Sequence, residues 1–148
     1  MDIPLGRHAT TRTRHAPLRY DRAWDTGMSG IGEARDAVAA LLSRLRPAPA
    51  RCSVQDAQLV VSELVGNAAK HAPGPCALRL ELPPDGTALR VSVTDTSTEP
   101  PLRQPPDPCR IGGHGLILVA MVSRDLEVTW LPHGKRITAT VPLTAAAG

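Results

Sequence analysis

Glu63 and Asn67 stand four residues apart in the stretch 53–72, SVQDAQLVVSELVGNAAKHA. On a helix that spacing makes their side chains neighbours one turn apart. At about 100° per residue, Val54, Ala57, Val61, Leu64, Val65, Ala68 and Ala72 gather on the opposite side. A carboxylate beside an amide can hold a metal ion through oxygen, and Mg²⁺ takes few protein oxygens and completes its shell with water and phosphate. The same spacing also suits a solvated helix face. Lys70 shares this side and His71 lies at its margin, and neither is assigned a catalytic role.

Two further places carry polar or glycine residues in a pattern that needs a reason. Asp95 ends the alternating run LRVSVTD, where a carboxylate can accept from a ligand amine; Asp95-Thr96-Ser97 equally suits an Asx or ST turn after a strand. Gly112, Gly113 and Gly115 precede LILVAMV. Glycines allow close backbone approach, and a helix N-terminus offers free N–H groups to phosphate. A plain loop-to-helix junction uses the same residues.

The elements that must position these groups are legible from periodicity. Leu18, Tyr20, Arg22 and Trp24 alternate in a first strand, with Arg22 breaking one face. Ser29 to Arg46 reads as a helix, with Ile31, Ala34, Val38, Leu41, Leu42 and Leu45 on one side, Ser29 as N-cap and Glu33 in the first turn. Pro47 and Pro49 end it. The central helix, 53–72, starts at Ser53, with Asp56 three residues on, and stops before Pro73-Gly74-Pro75. Cys76–Leu82 and Leu89–Asp95 alternate on either side of Pro-Pro-Asp-Gly, which predicts an antiparallel hairpin. The segment 96–110 holds five prolines and reads as a lid. A short helix follows the glycines, then strands over 125–131 and 135–143 joined by a Pro-His-Gly turn.

This order is not a strict βαβ alternation. It predicts an α+β fold, a two-layer α/β sandwich with helices on one face of a mixed, mainly antiparallel sheet. Residues 1–16 read as a mobile basic tail, 17–143 as one domain and 144–148 as a frayed end.

Composition narrows the class. The 148 residues suffice for one real core, built from Leu, Val and Ala because the chain has no Phe, one Tyr and two Trp. The net charge is +3, and every basic residue but Lys70 and Lys135 is Arg. No aromatic residues interleave with the basic N-terminus, so direct nucleic-acid binding is not expected. No apolar run spans a membrane and no secretory signal is visible. Cys52, Cys76 and Cys109 are odd in number and without a C-x-x-C, which suits a reducing cytoplasm. A P-loop, a Rossmann fingerprint and a G-x-S-x-G elbow are all absent.

In their joint order the motifs resemble the GHKL (Bergerat-fold) ATPases, and within them the stand-alone bacterial anti-sigma-factor kinases. Glu63-Leu64-Val65-Gly66-Asn67-Ala68-Ala69-Lys70-His71-Ala72 matches the N box, E-L-x-x-N-A-x-x-H-A; Val91 to Asp95 matches the strand ending in Asp; Gly113-His114-Gly115-Leu116 matches G-x-G-L. The resemblance implies ATP and Mg²⁺ as cofactors. Asn67 would bind the metal, Glu63 would be the general base, and Asp95 would accept from the adenine amino group with Ser97 nearby. Gly113, Gly115 and Leu116 would offer backbone N–H groups to the phosphates. It further implies a serine/threonine protein kinase that binds a sigma factor and phosphorylates a STAS-type antagonist, and homodimerisation away from the pocket. The alternative is a non-catalytic, nucleotide-gated regulator of the same fold. Three departures stand out: Ser97 replaces a glycine, only Arg103 and Arg110 of the lid could serve phosphate, and Gly134-Lys135-Arg136 stands where relatives often place a threonine facing the base.

Overall fold

Hydrophobic alternation in the strands and the apolar stripes of the helices can both be satisfied only if the helices cover one side of the sheet. The computed structural model does this, and describes residues 16–26, 30–71, 74–97 and 115–146. The order is β1 (Leu18–Trp24), α1 (Ile31–Leu42), α2 (Arg51–His71), β2 (Cys76–Leu82), β3 (Ala88–Asp95), α3 (Gly115–Val122), β4 (Arg124–Leu131) and β5 (Gly134–Pro142). The five strands form one sheet in the order β1-β2-β3-β5-β4. Every pairing is antiparallel, so the sheet is not mixed.

Inward positions alternate as the pleat requires. Leu78, Leu80 and Leu82 of β2, Leu89, Val91 and Val93 of β3, and Ile137, Ala139 and Val141 of β5 are buried against the helices. From α2, Ala57, Val61, Leu64, Val65 and Ala68 meet them, and Val60 is buried as well. The buried arc of α2 is wider than a one-sided stripe because α1 and α3 pack on it in addition to the sheet. Arg35 of α1, exposed, reaches across to α2. It donates to Ser62 Oγ at 2.9 Å, and Gln58 Nε2 donates back to the Arg35 carbonyl at 3.1 Å.

Three boundaries differ from the sequence reading. Helix α1 is shorter than 29–46: after Leu42 the chain tightens into i→i+3 bonds, Arg44 N–H to Leu41 and Leu45 N–H to Leu42, which still bury Leu45. Gly30, with no side-chain cap, stands at its N-terminus, and Ser29 lies outside the described residues. Helix α2 begins at Arg51, so Ser53 is not its cap. Ser53 is buried, and its Oγ accepts from the Thr144 N–H at 3.0 Å and lies 3.1 Å from Thr144 Oγ1. Residues 144–146 are accordingly not frayed: Ala50 N–H donates to the Thr144 carbonyl at 2.7 Å and Ala146 N–H to the Ala48 carbonyl at 2.8 Å. The expected basic tail, 1–16, lies outside the described residues except for Ala16.

Candidate functional site

Helix α2 presents Glu63 and Asn67 from its half-buried flank while Leu64, Val65 and Ala68 anchor the buried one. Asn67 Oδ1 is shut off from solvent and has no hydrogen-bond partner among the described residues. A buried carbonyl oxygen without a donor is costly unless something else supplies positive charge. Glu63 makes no ion pair among the described residues. Helix α3 packs on α2, with Leu116 in the core one residue after Gly115 starts the helix. The expected lid from 98 onward, including Arg103 and Arg110, lies outside the described residues, as does Gly113.

The end of β3 comes close to the C-terminal end of α2. A Cβ on Gly74, just past α2, would lie 3.2 Å from Thr96 Oγ1. Asp95 is 4% exposed, and its Oδ1 accepts the Ser97 N–H at 2.8 Å, so the turn reading of 95–97 holds. Ser97 is itself buried.

The carboxylate of Asp95 has a further partner. Lys135, 1% exposed, puts its Nζ 2.9 Å from Oδ2 and 3.1 Å from Oδ1. The two residues are opposite one another in the β3–β5 ladder. On β5, Lys135 has the inward parity of Ile137, Ala139 and Val141, and this alternation was the sequence signal that it faces inward. Gly134 fixes the approach, since a Cβ there would lie 1.9 Å from the Asp95 carbonyl oxygen.

Cys76 lies beside the pair. Burial pushes its thiol up to about 11, and the Asp95 carboxylate adds to the effect. Cys52 and Cys76 are both free thiols. A cavity of about 270 Å³ opens at this end of the sheet between Ala23, Cys76, Thr94, Asp95, Leu131 and His133. Glu63 and Asn67 do not line it.

With the geometry in place, the comparisons decide the family. A family model described as histidine kinase-like ATPase domain matches residues 29–141, most of the chain. The chain belongs to the histidine kinase-like ATPase family. No curated protein matched. Among solved structures, a chain described as the RsbU and RsbW domains of Rv1364c from Mycobacterium tuberculosis is similar, with a TM-score of 0.62 and 19% identity. The match covers 90% of this chain and 33% of that one, so this chain spans a third of its length. At that identity the likeness speaks for the fold.

Against that family, the metal half of the expected site fits. Asn67 offers a buried oxygen that is unpaired among the described residues. No group of three His, Cys, Asp or Glu that could hold a metal occurs among the described residues. The base half does not fit in the same way: Asp95, expected to accept from an amine, already accepts from Lys135 and Ser97.

Proposed function

We propose that this histidine kinase-like ATPase domain binds Mg²⁺-ATP and acts as an anti-sigma-factor-type serine/threonine protein kinase. Its protein partners would be a sigma factor and a STAS-type antagonist bearing the phosphorylated hydroxyl. The observation that carries the nucleotide reading is the buried Asn67 Oδ1, which has no hydrogen-bond partner among the described residues. When bound, Mg²⁺ would neutralise charge on the phosphate oxygens. Asn67 would hold it through Oδ1. The N–H groups at the start of α3, around Gly115 and Leu116, would face phosphate, where a helix terminus favours negative charge. Glu63, one turn from Asn67, would take the proton from the acceptor hydroxyl. Positioning and charge neutralisation are most of what phosphoryl transfer requires.

Calorimetric titration with Mg²⁺-ATP and a transfer assay on a STAS-type acceptor test this reading. Asn67→Ala should weaken Mg²⁺-ATP binding about tenfold or more, as expected for loss of a hydrogen-bonding or ligating contact of roughly 1.5–3 kcal/mol. Glu63→Ala should keep binding and lower transfer by about 10²–10⁴-fold, the range for a general base. Unaltered transfer by the Glu63 variant would remove the catalytic role. The Lys135–Asp95 pair motivates a second reading, a regulator that holds nucleotide loosely and works by binding. Weak Mg²⁺-ATP binding with no transfer to any acceptor would favour it.

A further inference from the structure

Asp95 and Lys135 form a buried ion pair at the position expected to read a nucleotide base. An ionised carboxylate offers about four lone-pair sites. Three contacts occupy them here: Lys135 Nζ on both oxygens and the Ser97 N–H on Oδ1. The Asp95 oxygen left partly open sits beside an ammonium group, which repels the positive hydrogens of an incoming ring amine.

A hydrogen-bonding site rejects a wrong ligand because that ligand leaves the site's buried polar groups unpaired. Lys135 removes this penalty. Asp95 is satisfied by its own chain whichever base is present, so a base without an amino group at the matching edge leaves nothing stranded. We propose that Lys135 is a specificity-determining residue that withdraws Asp95 from base reading, so that this domain recognises nucleoside triphosphates by metal and phosphate with little preference among bases. The inference rests on the nucleotide-binding reading above. Gly134 supports it structurally, because only a residue without Cβ lets β5 start close enough to Asp95 for the pair to form.

The test is calorimetric titration of the full chain, wild type and Lys135→Thr, with Mg²⁺-ATP, Mg²⁺-GTP and Mg²⁺-tripolyphosphate. A threonine hydroxyl can still donate to Asp95 while freeing an acceptor site. Wild type should bind ATP and GTP within about threefold, and Lys135→Thr should prefer ATP by about tenfold or more, the scale of one recovered hydrogen bond. Thermal unfolding checks that the variant is folded; if it is not, the wild-type ATP-to-GTP ratio decides alone. A wild-type preference for ATP above about tenfold, or a folded Lys135→Thr with an unchanged ratio, overturns the inference and leaves the nucleotide reading standing. Wild-type binding of none of the three probes overturns both.

Discussion

At the scale of single residues, Cys76 of β2, beside the end of β3, has its protonation shifted by burial. Cys76 lies on the same inward face as Leu78 and Leu80, and its thiol is held neutral up to about 11 against an ordinary value of 9.0. The folded state therefore keeps a proton that the unfolded chain gives up near pH 9. The stability tied to this group is fully present below pH 9 and is lost as pH rises toward 11. Urea unfolding at pH 8, 9.5 and 10.5 should show a falling midpoint over the upper interval, and Cys76→Ala should flatten that part of the curve. Iodoacetamide at pH 8 should label exposed Cys52 and leave Cys76 unmodified until the chain unfolds. Equal labelling of the two, mapped by mass spectrometry, would contradict a buried neutral thiol. The partner of Asp95 was harder to read than its position. Its strand-end placement follows from alternation in 89–95, whereas Lys135 required knowing that β5, forty residues later, pairs with β3 rather than β2.

At the scale of elements, periodicity was reliable wherever one face is buried and the other wet. Helices α1 and α2, the β2–β3 hairpin and the β4–β5 hairpin all appear within a few residues of where their patterns place them. The same holds for Glu63 and Asn67, because i,i+4 spacing on a long helix has only one geometric outcome. What failed were signals that look local and are used at long range. Ser53 has the residue type and Asp56 the spacing of a cap, yet Ser53 Oγ bonds Thr144, 91 residues away. Arg22 breaks the apolar alternation of β1, and the structure pairs it with Glu33 of α1, where Trp24 Nε1 also donates at 3.2 Å. Tertiary partners decided both cases. The Ser53 contact yields a prediction at this scale. Ser53→Ala removes the acceptor for the Thr144 N–H and should lower stability by about 1–2 kcal/mol. Hydrogen exchange at Ala50 and Ala146, whose N–H groups lie in the same strap, should quicken with it. An unchanged urea midpoint together with unchanged exchange at both amides would show that the strap is held without Ser53.

For the molecule as a whole, the two layers are not secured equally. The centre of the sheet, β2, β3 and β5, is held by a continuous apolar face. The edge strand β1 buries only Trp24, with Leu18 and Tyr20 partly buried against the core, and polar links add to its pairing with β2. Asp21 accepts from Arg79 of β2 at 2.8 Å, and Glu33 of α1 gathers Arg22, Trp24 and the Tyr20 hydroxyl. Arginine hydrogen bonding holds both carboxyls below their usual range, for Asp21 from Arg79 and for Glu33 from Arg22. Depressed folded values mean that this stabilisation is present above the ordinary carboxylate range near pH 4 and is lost as pH falls through the lower folded values. These links are exposed and individually weak, so their loss should loosen β1 without unfolding the core. Trp24 reports on it, because it is buried under Gly30 while Trp130 is half exposed. In a Trp130→Phe background, acidification from pH 6 to pH 3 should red-shift the Trp24 emission before far-UV circular dichroism changes. Arg79→Ala, which removes the link from Asp21 to β2 and leaves its pairing with Arg19, should move that shift to higher pH. Coincident loss of fluorescence and circular dichroism at every pH would mean that β1 and the helix-covered core melt as one unit, with the apolar contacts of Trp24 outweighing the carboxylate links.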